Sequence, residues 1–302
     1  MITDNLTNTV YFSSLLPEKC PILNASIIEV LQKRGISFDY LKGTKDIWCR
    51  DYMPIQIQKD RFIAYKYTPD YLQDKRNIQF QTNPEDVLQA ESNVLSRALP
   101  TCRMEDVVFD GLRPIPIGRP TIEIIKMDLV MDGGNVMKCG DTVVMTEKVF
   151  VENSDKSRDK VEHILRDAFQ CDLLFLPWDR KEYLGHSDGI VHYAGDGRIL
   201  LTNYNDFSTY FFNRFRKALE TRFEVIPLKY HVKRKHARSW SYINFLQVGK
   251  LVLVPQLGVE EDRIALEQIG NTIPDCEVVG IPALEAVRRG GALNCISWNI
   301  QN

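Results

Sequence analysis

The sequence predicts an α/β protein in which a helix–strand–hairpin unit is repeated five times and closed into one domain spanning residues 1–302. Three observations lead there. The order helix, strand, polar motif, hairpin recurs at a spacing of roughly 60 residues, and a fixed period marks repeat-built folds. Turn signals such as Gly195-Asp196-Gly197 punctuate the hairpins. No polar linker separates the units, so nothing in the chain marks a domain boundary.

In the first unit, apolar Leu23, Ile27, Val30 and Leu31 recur at helical spacing from Pro21 to Arg34, and Gly35 supplies the stop. Ile36 to Leu41 alternates as a strand. The polar motif Trp48-Cys49-Arg50-Asp51 and a hairpin through Phe62–Tyr67 follow. The second unit opens with Asn83-Pro84-Glu85, an N-cap followed by a proline suited to the first helical turn, and its helix is expected to reach about Leu99. Its strand is expected near Val107 to Phe109. A proline-rich excursion over Arg113–Pro120, a segment Ile122–Met131, the motif Asp132-Gly133-Gly134-Asn135 and a hairpin ending at Glu147 come next.

The third unit has a helix from Ser157 to Phe169, a strand Leu173–Leu176, the motif Gly185-His186-Ser187-Asp188 and a hairpin over Ile190–Thr202. The fourth has a helix near Phe207–Thr221, a strand Phe223–Leu228 and a hairpin turning at Gly249-Lys250. The fifth has a helix near Glu260–Ile269, a strand Glu277–Ile281 and the terminal segment Gly290-Gly291-Ala292-Leu293-Asn294-Cys295. If equivalent positions of the units face a common axis, the motifs of the first, second, third and fifth become neighbours. The fourth has no comparable carboxylate or imidazole between its strand and its hairpin.

Composition narrows the function classes. A formal charge of -2 argues against a nucleic-acid partner, which needs a basic excess, and the basic run Lys229–Arg238 reads as a solvated loop. No apolar run approaches the ~20 residues that cross a bilayer, and the N-terminus lacks a basic and apolar leader pattern. The seven cysteines, at 20, 49, 102, 139, 171, 276 and 295, show no paired spacing. They predict a reducing, cytoplasmic location and neither a disulfide framework nor a metal site.

Cys295, His186, Asp188, Asp51 and Glu147 form the candidate constellation. A cysteine reacts as its thiolate, which needs a polarised neighbourhood. Taken alone, Cys295 after a glycine pair is more often a packing residue. His186, in a small loop ahead of an apolar strand, is placed to shuttle protons, whereas His192 lies inside the apolar run. Asp51 and Asp188 together would suit a planar cation of guanidinium shape through paired hydrogen bonds. Trp48 beside them would cover an apolar linker or stack on the cation. Glu147, at the end of an apolar strand, reads equally as an orienting partner of His186 or as an exposed strand-end glutamate.

Five motifs in order, Trp48-x-Arg50-Asp51-x-x-Pro54, Asp132-Gly133-Gly134-Asn135, Gly185-His186-x-Asp188, Ser241-Tyr242-Ile243-Asn244-Phe245 and Gly290-Gly291-Ala292-x-Asn294-Cys295-Ile296-Ser297, resemble the agmatine deiminase and bacterial-type peptidyl-arginine deiminase family. The resemblance runs from about Trp48 to Trp298. It implies the pentein fold, a five-bladed α/β propeller. It further implies that Cys295 attacks a guanidinium carbon held by Asp51 and Asp188. His186, partnered by Glu147, would protonate departing ammonia and then activate water. Trp48 and Asn135 would help to line the substrate site.

The implied reaction yields a ureido product and ammonia through a thiouronium intermediate, with no cofactor and no metal. A small guanidino compound is the implied partner, agmatine first, giving N-carbamoylputrescine in putrescine biosynthesis, and the assembly implied is a homodimer. Deimination of free or peptidyl arginine, amidino transfer to an amine, and guanidinium binding without turnover are the alternatives. Two positions depart from the family pattern: Asp132 stands where glutamate is usual before the glycine pair, and Asn294 where histidine is usual before the nucleophile.

Overall fold

Five stretches of the chain build three-stranded sheets with the same wiring: an inner strand antiparallel to a middle strand, which in turn is parallel to an outer one. A computed structural model describes residues 1–90, 107–110, 113–116, 122–182, 184–232 and 236–302. The inner strands are Ile55–Gln58, Met137–Cys139, Val191–Gly195, Leu246–Val248 and Ser297–Ile300. Their middle partners are Arg61–Lys66, Thr142–Thr146, Arg198–Leu201, Leu251–Gln256 and Thr9–Ser13. A parallel pair cannot be joined by a tight turn, so each middle strand reaches its outer strand through a crossover, and the described residues carry a helix in each, along Pro21–Lys33, Pro84–Gln89, Arg158–Phe169, Thr209–Leu219 and Glu261–Thr272.

The helices form for the reasons visible in their sequences. Pro21 opens the first, Leu23, Ile27 and Leu31 lie one above another on its face and are fully buried, and Gly35 ends it at φ 63°. Ser157 and Ser208 cap two others through their side-chain oxygens. Each fully buried Leu or Ile contributes about 1.5–3 kcal/mol relative to exposure.

The structure shifts the boundary of the repeat. The hairpin precedes its helix and outer strand within one sheet, so the unit is hairpin, helix, strand, and the expected order is a cyclic offset of it. The strand Thr9–Ser13 was not expected. All five of its residues are buried, so it lacks the alternation that betrays a half-buried strand. Val107–Asp110 pairs with Arg113–Pro116 as a separate hairpin, and Glu123–Val130 is the second outer strand. The stretch of the second helix beyond Gln89, Cys102 and part of the basic run lie outside the described residues.

One pairing matters most for function. Ser297–Ile300, the last strand, pairs antiparallel with Thr9–Ser13, matching Thr9 to Ile300. The fifth unit's inner strand thereby completes the first unit's sheet, tying the segment that carries Cys295 to the start of the chain. Among the described residues, no helix is long and apolar enough to cross a membrane.

Candidate active site

Each inner strand is preceded by a short turn, and these turns hold the polar motifs. Cys49–Tyr52 precedes Ile55, Gly133–Asn135 precedes Met137, Ser187–Gly189 precedes Val191, Ser239–Ile243 precedes Leu246, and Ala292 to Ile296 precedes Ser297. Equivalent places in the five units thus supply residues to a common site.

At this site the Sγ of Cys295 lies 3.6 Å from Asp188 Oδ2. That same oxygen accepts a 2.7 Å hydrogen bond from Asn294 Nδ2. Asn244, from the fourth unit, joins the two segments: its Oδ1 accepts from the Cys295 N–H at 3.2 Å, its carbonyl accepts from the Asn294 N–H at 3.1 Å, and its Nδ2 donates to the Asp188 carbonyl at 3.3 Å. The nucleophile candidate and its neighbouring carboxylate are therefore held in one network. Gly291 is required by closeness: a Cβ there would stand 2.4 Å from the Trp48 ring.

His186 is held between two carboxylates. Its Nε2 pairs with Asp132 Oδ2 at 2.9 Å, and its Nδ1 faces Asp51 Oδ1 at 3.6 Å. Asp51 Oδ1 also accepts the Gly134 N–H at 3.0 Å, and its Oδ2 accepts from the Tyr71 hydroxyl at 3.2 Å. A side chain on Gly134 would come within 2.6 Å of both Asp51 and His186, so the glycine is what allows the pair to approach. Lys148, only 1% exposed, reaches Asp132 at 3.3 Å, Asp70 at 3.3 Å and Glu152 at 3.1 Å.

The charges follow from these distances. Burial works against a charged His186, but the Asp51 and Asp132 carboxylates outweigh it and raise its pKa to about 9. Burial raises Asp51 to about 7, assisted by Asp132 and Asp188 and opposed by His186. Asp132 is buried as well, yet its hydrogen bond to His186 and the nearby Lys148 hold it below the ordinary carboxylate value. The difference between the two aspartates is physical: Asp132 has direct contact with two cations, and Asp51 has only the more distant imidazole. Burial, then Asp188 and Asp51, push the Cys295 thiol well above its usual range.

Four of the expected residues, Cys295, His186, Asp188 and Asp51, come together. Three do not take the expected places. Glu147 forms a 3.1 Å ion pair with Arg158 at the surface, and Asp132 is the partner of His186. The reason is where the strand stops: it ends at Thr146, Glu147 takes αR backbone as the N-cap of the short helix Lys148–Glu152, and that helix turns Lys148 and Val149 inward while Glu147 stays partly exposed. Asn135 spends its side chain on the Thr146 backbone, with its Oδ1 accepting the N–H at 2.8 Å. Trp48 packs on Gly291 at the cysteine turn, and neither it nor Asp51 is among the described residues that line the adjoining cleft. Sequence reasoning missed Asn244, Lys148 and Tyr71, although Asn244 and Asp132 each stood inside a motif.

The match to known proteins decides the family. Residues 24–300 match the Porphyromonas-type peptidyl-arginine deiminases. The chain belongs to that family. Among curated relatives, the putative agmatine deiminase of Lactococcus lactis is 24% identical over 209 residues, 56% of this chain and 57% of its own length. That of Streptococcus mutans is 25% identical over 209 residues, 56% of each chain. The chain thus aligns with little more than half the length of these relatives.

Solved structures share the fold across the whole family member. The C. jejuni agmatine deiminase superposes with a TM-score of 0.69 at 17% identity, covering 100% of this chain and 95% of that one. The Enterococcus faecalis agmatine deiminase gives a TM-score of 0.66 at 19% identity, covering 99% and 94%.

Asn294 has a definite place within this family member. Its amide, a neutral donor, gives its hydrogen bond to the Asp188 oxygen nearest the sulfur. Asn294→Asp would set two buried carboxylates against each other, so one of them would have to take up a proton. The expected result is a fall in kcat/KM of about 10–100-fold at neutral pH, the worth of a hydrogen bond to a charged group. Part of the loss should return at lower pH, and a kcat/KM–pH profile of the variant checks both features.

Proposed function

We propose that this protein is a guanidino-group deiminase, with agmatine as the first candidate substrate, working as one catalytic unit whose five sheets are the blades of a pentein propeller. The observation that carries the reading is a cysteine sulfur 3.6 Å from one carboxylate, beside a histidine gripped by two others. An acidic site that holds its thiol protonated when empty is suited to a cationic substrate, because the incoming charge removes the penalty on the thiolate.

In the proposed reaction Asp51 and Asp188 hold the guanidinium nitrogens, and Cys295 forms a C–S bond to the guanidinium carbon. His186, its Nε2 committed to Asp132, has Nδ1 left to deliver a proton to the departing nitrogen. The C–N bond breaks, ammonia leaves, and water activated by His186 displaces sulfur to give the ureido product. Asp132 keeps the imidazole oriented, as a buried carboxylate does for a catalytic base. The expressed protein offered agmatine, free arginine and an arginyl peptide should release ammonia and a ureido product from at least one of them. Formation of a new guanidine only when an amine acceptor is added would point to amidino transfer. Binding without any product would point to a guanidinium-binding module.

The perturbed groups set a pH dependence. Asp51 is anionic above about 7, and His186 is protonated below about 9. On the acid side, kcat/KM should fall as the clamp carboxylate takes up a proton. On the alkaline side it should fall as the imidazolium loses its own. The two limbs describe the free enzyme, which is what kcat/KM reports. A steady-state profile between pH 5 and 10 checks them, and Asp51→Asn should remove the acid limb from whatever activity remains.

A further inference from the structure

The cleft that opens onto Cys295 is larger than a guanidino amine requires. It encloses about 380 Å³, room for on the order of a dozen water-sized groups and within the range of sites that hold whole drug-sized ligands. Cys295, His186, Asp188 and Asn244 supply the reactive part of its lining. Five aromatic residues, Trp178, Tyr204, Phe207, Phe211 and Trp240, supply much of the rest among the described residues.

This aromatic wall is built into the core. Tyr204 is 6% exposed, donates to Asp179 Oδ2 at 2.8 Å, and meets the fully buried Phe215 edge-on at 4.9 Å. Phe211 lies 5.8 Å from the same Phe215 ring. Phe207, next to them, keeps 49% of its surface exposed, while Trp178, Phe211 and Trp240 are half-buried. Large aromatic rings held in place yet left open around a cleft mark a surface that gains by covering. Asp179, Lys181 and Glu182 also line the cleft; Asp179 is taken up by the Tyr204 hydroxyl and the Lys181 N–H, and the remaining Lys181 and Glu182 are of opposite charge.

We propose that the cleft takes a guanidino substrate with an aromatic or bulky apolar group beyond its alkyl arm, joined through an uncharged link such as an amide. This rests on the deiminase reading above and narrows its substrate class. The guanidinium goes to Asp51 and Asp188, the arm spans the neck of the cleft, and the cap lies against Phe207, Phe211 and Trp240. A pre-set wall pays little ordering entropy when the cap docks, so the apolar contact is realised as catalytic efficiency.

The test compares agmatine with two derivatives acylated on its amine, one carrying an acetyl group and one a phenylacetyl group. The acetyl compound separates loss of the ammonium charge from gain of the ring. The expected result is a kcat/KM for the phenylacetyl compound about tenfold or more above both others, in keeping with the discrimination apolar pockets provide. In Phe207→Ala and Trp240→Ala the ratio of phenylacetyl to acetyl kcat/KM should fall by about fivefold or more. Equal kcat/KM for the two acylated compounds overturns the proposal. So does a preference for bare agmatine that Glu182→Gln removes, since the cleft would then be an ammonium site. If no guanidine is turned over, the deiminase reading fails separately. Calorimetric Kd values for the same three compounds then decide the cleft's preference, with tighter phenylacetyl binding expected and equal or weaker binding overturning it.

Discussion

Replacing Cys295 with serine is expected to lower ammonia release by about 10⁴-fold or more, because the hydroxyl lacks the nucleophilicity that lets a thiolate form the covalent intermediate. Substrate binding should persist, since Asp51 and Asp188, the proposed clamp, are untouched. Single-turnover assays with acid quench and intact-protein mass measurement provide the check: the wild type should show an amidino adduct on Cys295, and Cys295→Ser should show none. Turnover by the serine variant within tenfold of wild type would remove Cys295 from the mechanism. Buried thiols elsewhere, such as Cys49, which is fully buried and does not line the cleft, should resist a cationic alkylating reagent that reaches Cys295 through it.

The second large effect separates two carboxylates that the sequence alone does not distinguish. Asp132→Asn keeps the shape beside His186 but removes the charge, and should cost about 10²–10⁴-fold in kcat/KM, the range for disabling a positioned acid–base group. It should also move the alkaline limb of the pH profile downward, because His186 loses one of the two carboxylates that raise its pKa. Glu147→Ala should stay within about twofold of wild type in activity, since its exposed pair with Arg158 is worth about 0–1 kcal/mol of stability. The opposite pattern, a silent Asp132→Asn and a crippled Glu147→Ala, would overturn the placement of His186. The shift in the limb distinguishes loss of charge from general damage to the fold.

Which carboxylate serves His186 shows how far sequence reading reaches. A Glu at the end of an apolar strand and an Asp before a glycine pair are both plausible partners by residue type. Side-chain direction chooses between them. The strand Thr142–Thr146 ends before Glu147, which caps the short helix Lys148–Glu152 and stays partly exposed while Lys148 is buried, and the Gly133-Gly134 turn lets Asp132 and Asp51 close on the two ring nitrogens. Neither fact is written in residue spacing. Lys148 shows the same limit more sharply, since an isolated lysine after a strand reads as a solvated group. Its burial is intelligible only when Asp70, Asp132 and Glu152 are found around it.

The sequence by itself determined the repeated α/β units, the turn motifs between them, and the cysteine, histidine and two aspartates that meet in the site. It could do so because helix periodicity, glycine turns and residue chemistry are local properties. It also pointed to the family through the order of five motifs. Tertiary structure alone decided that the last strand, Ser297–Ile300, pairs with Thr9–Ser13 and brings Cys295 back to the first unit. It likewise fixed Asn294 and Asn244 as the bridge between Cys295 and Asp188, and it set Trp48 against Gly291 at the cysteine turn. The physical reason is common to all of these. Partners hundreds of residues apart are chosen by which faces are buried together, and burial is a property of the assembled sheets, not of any one segment.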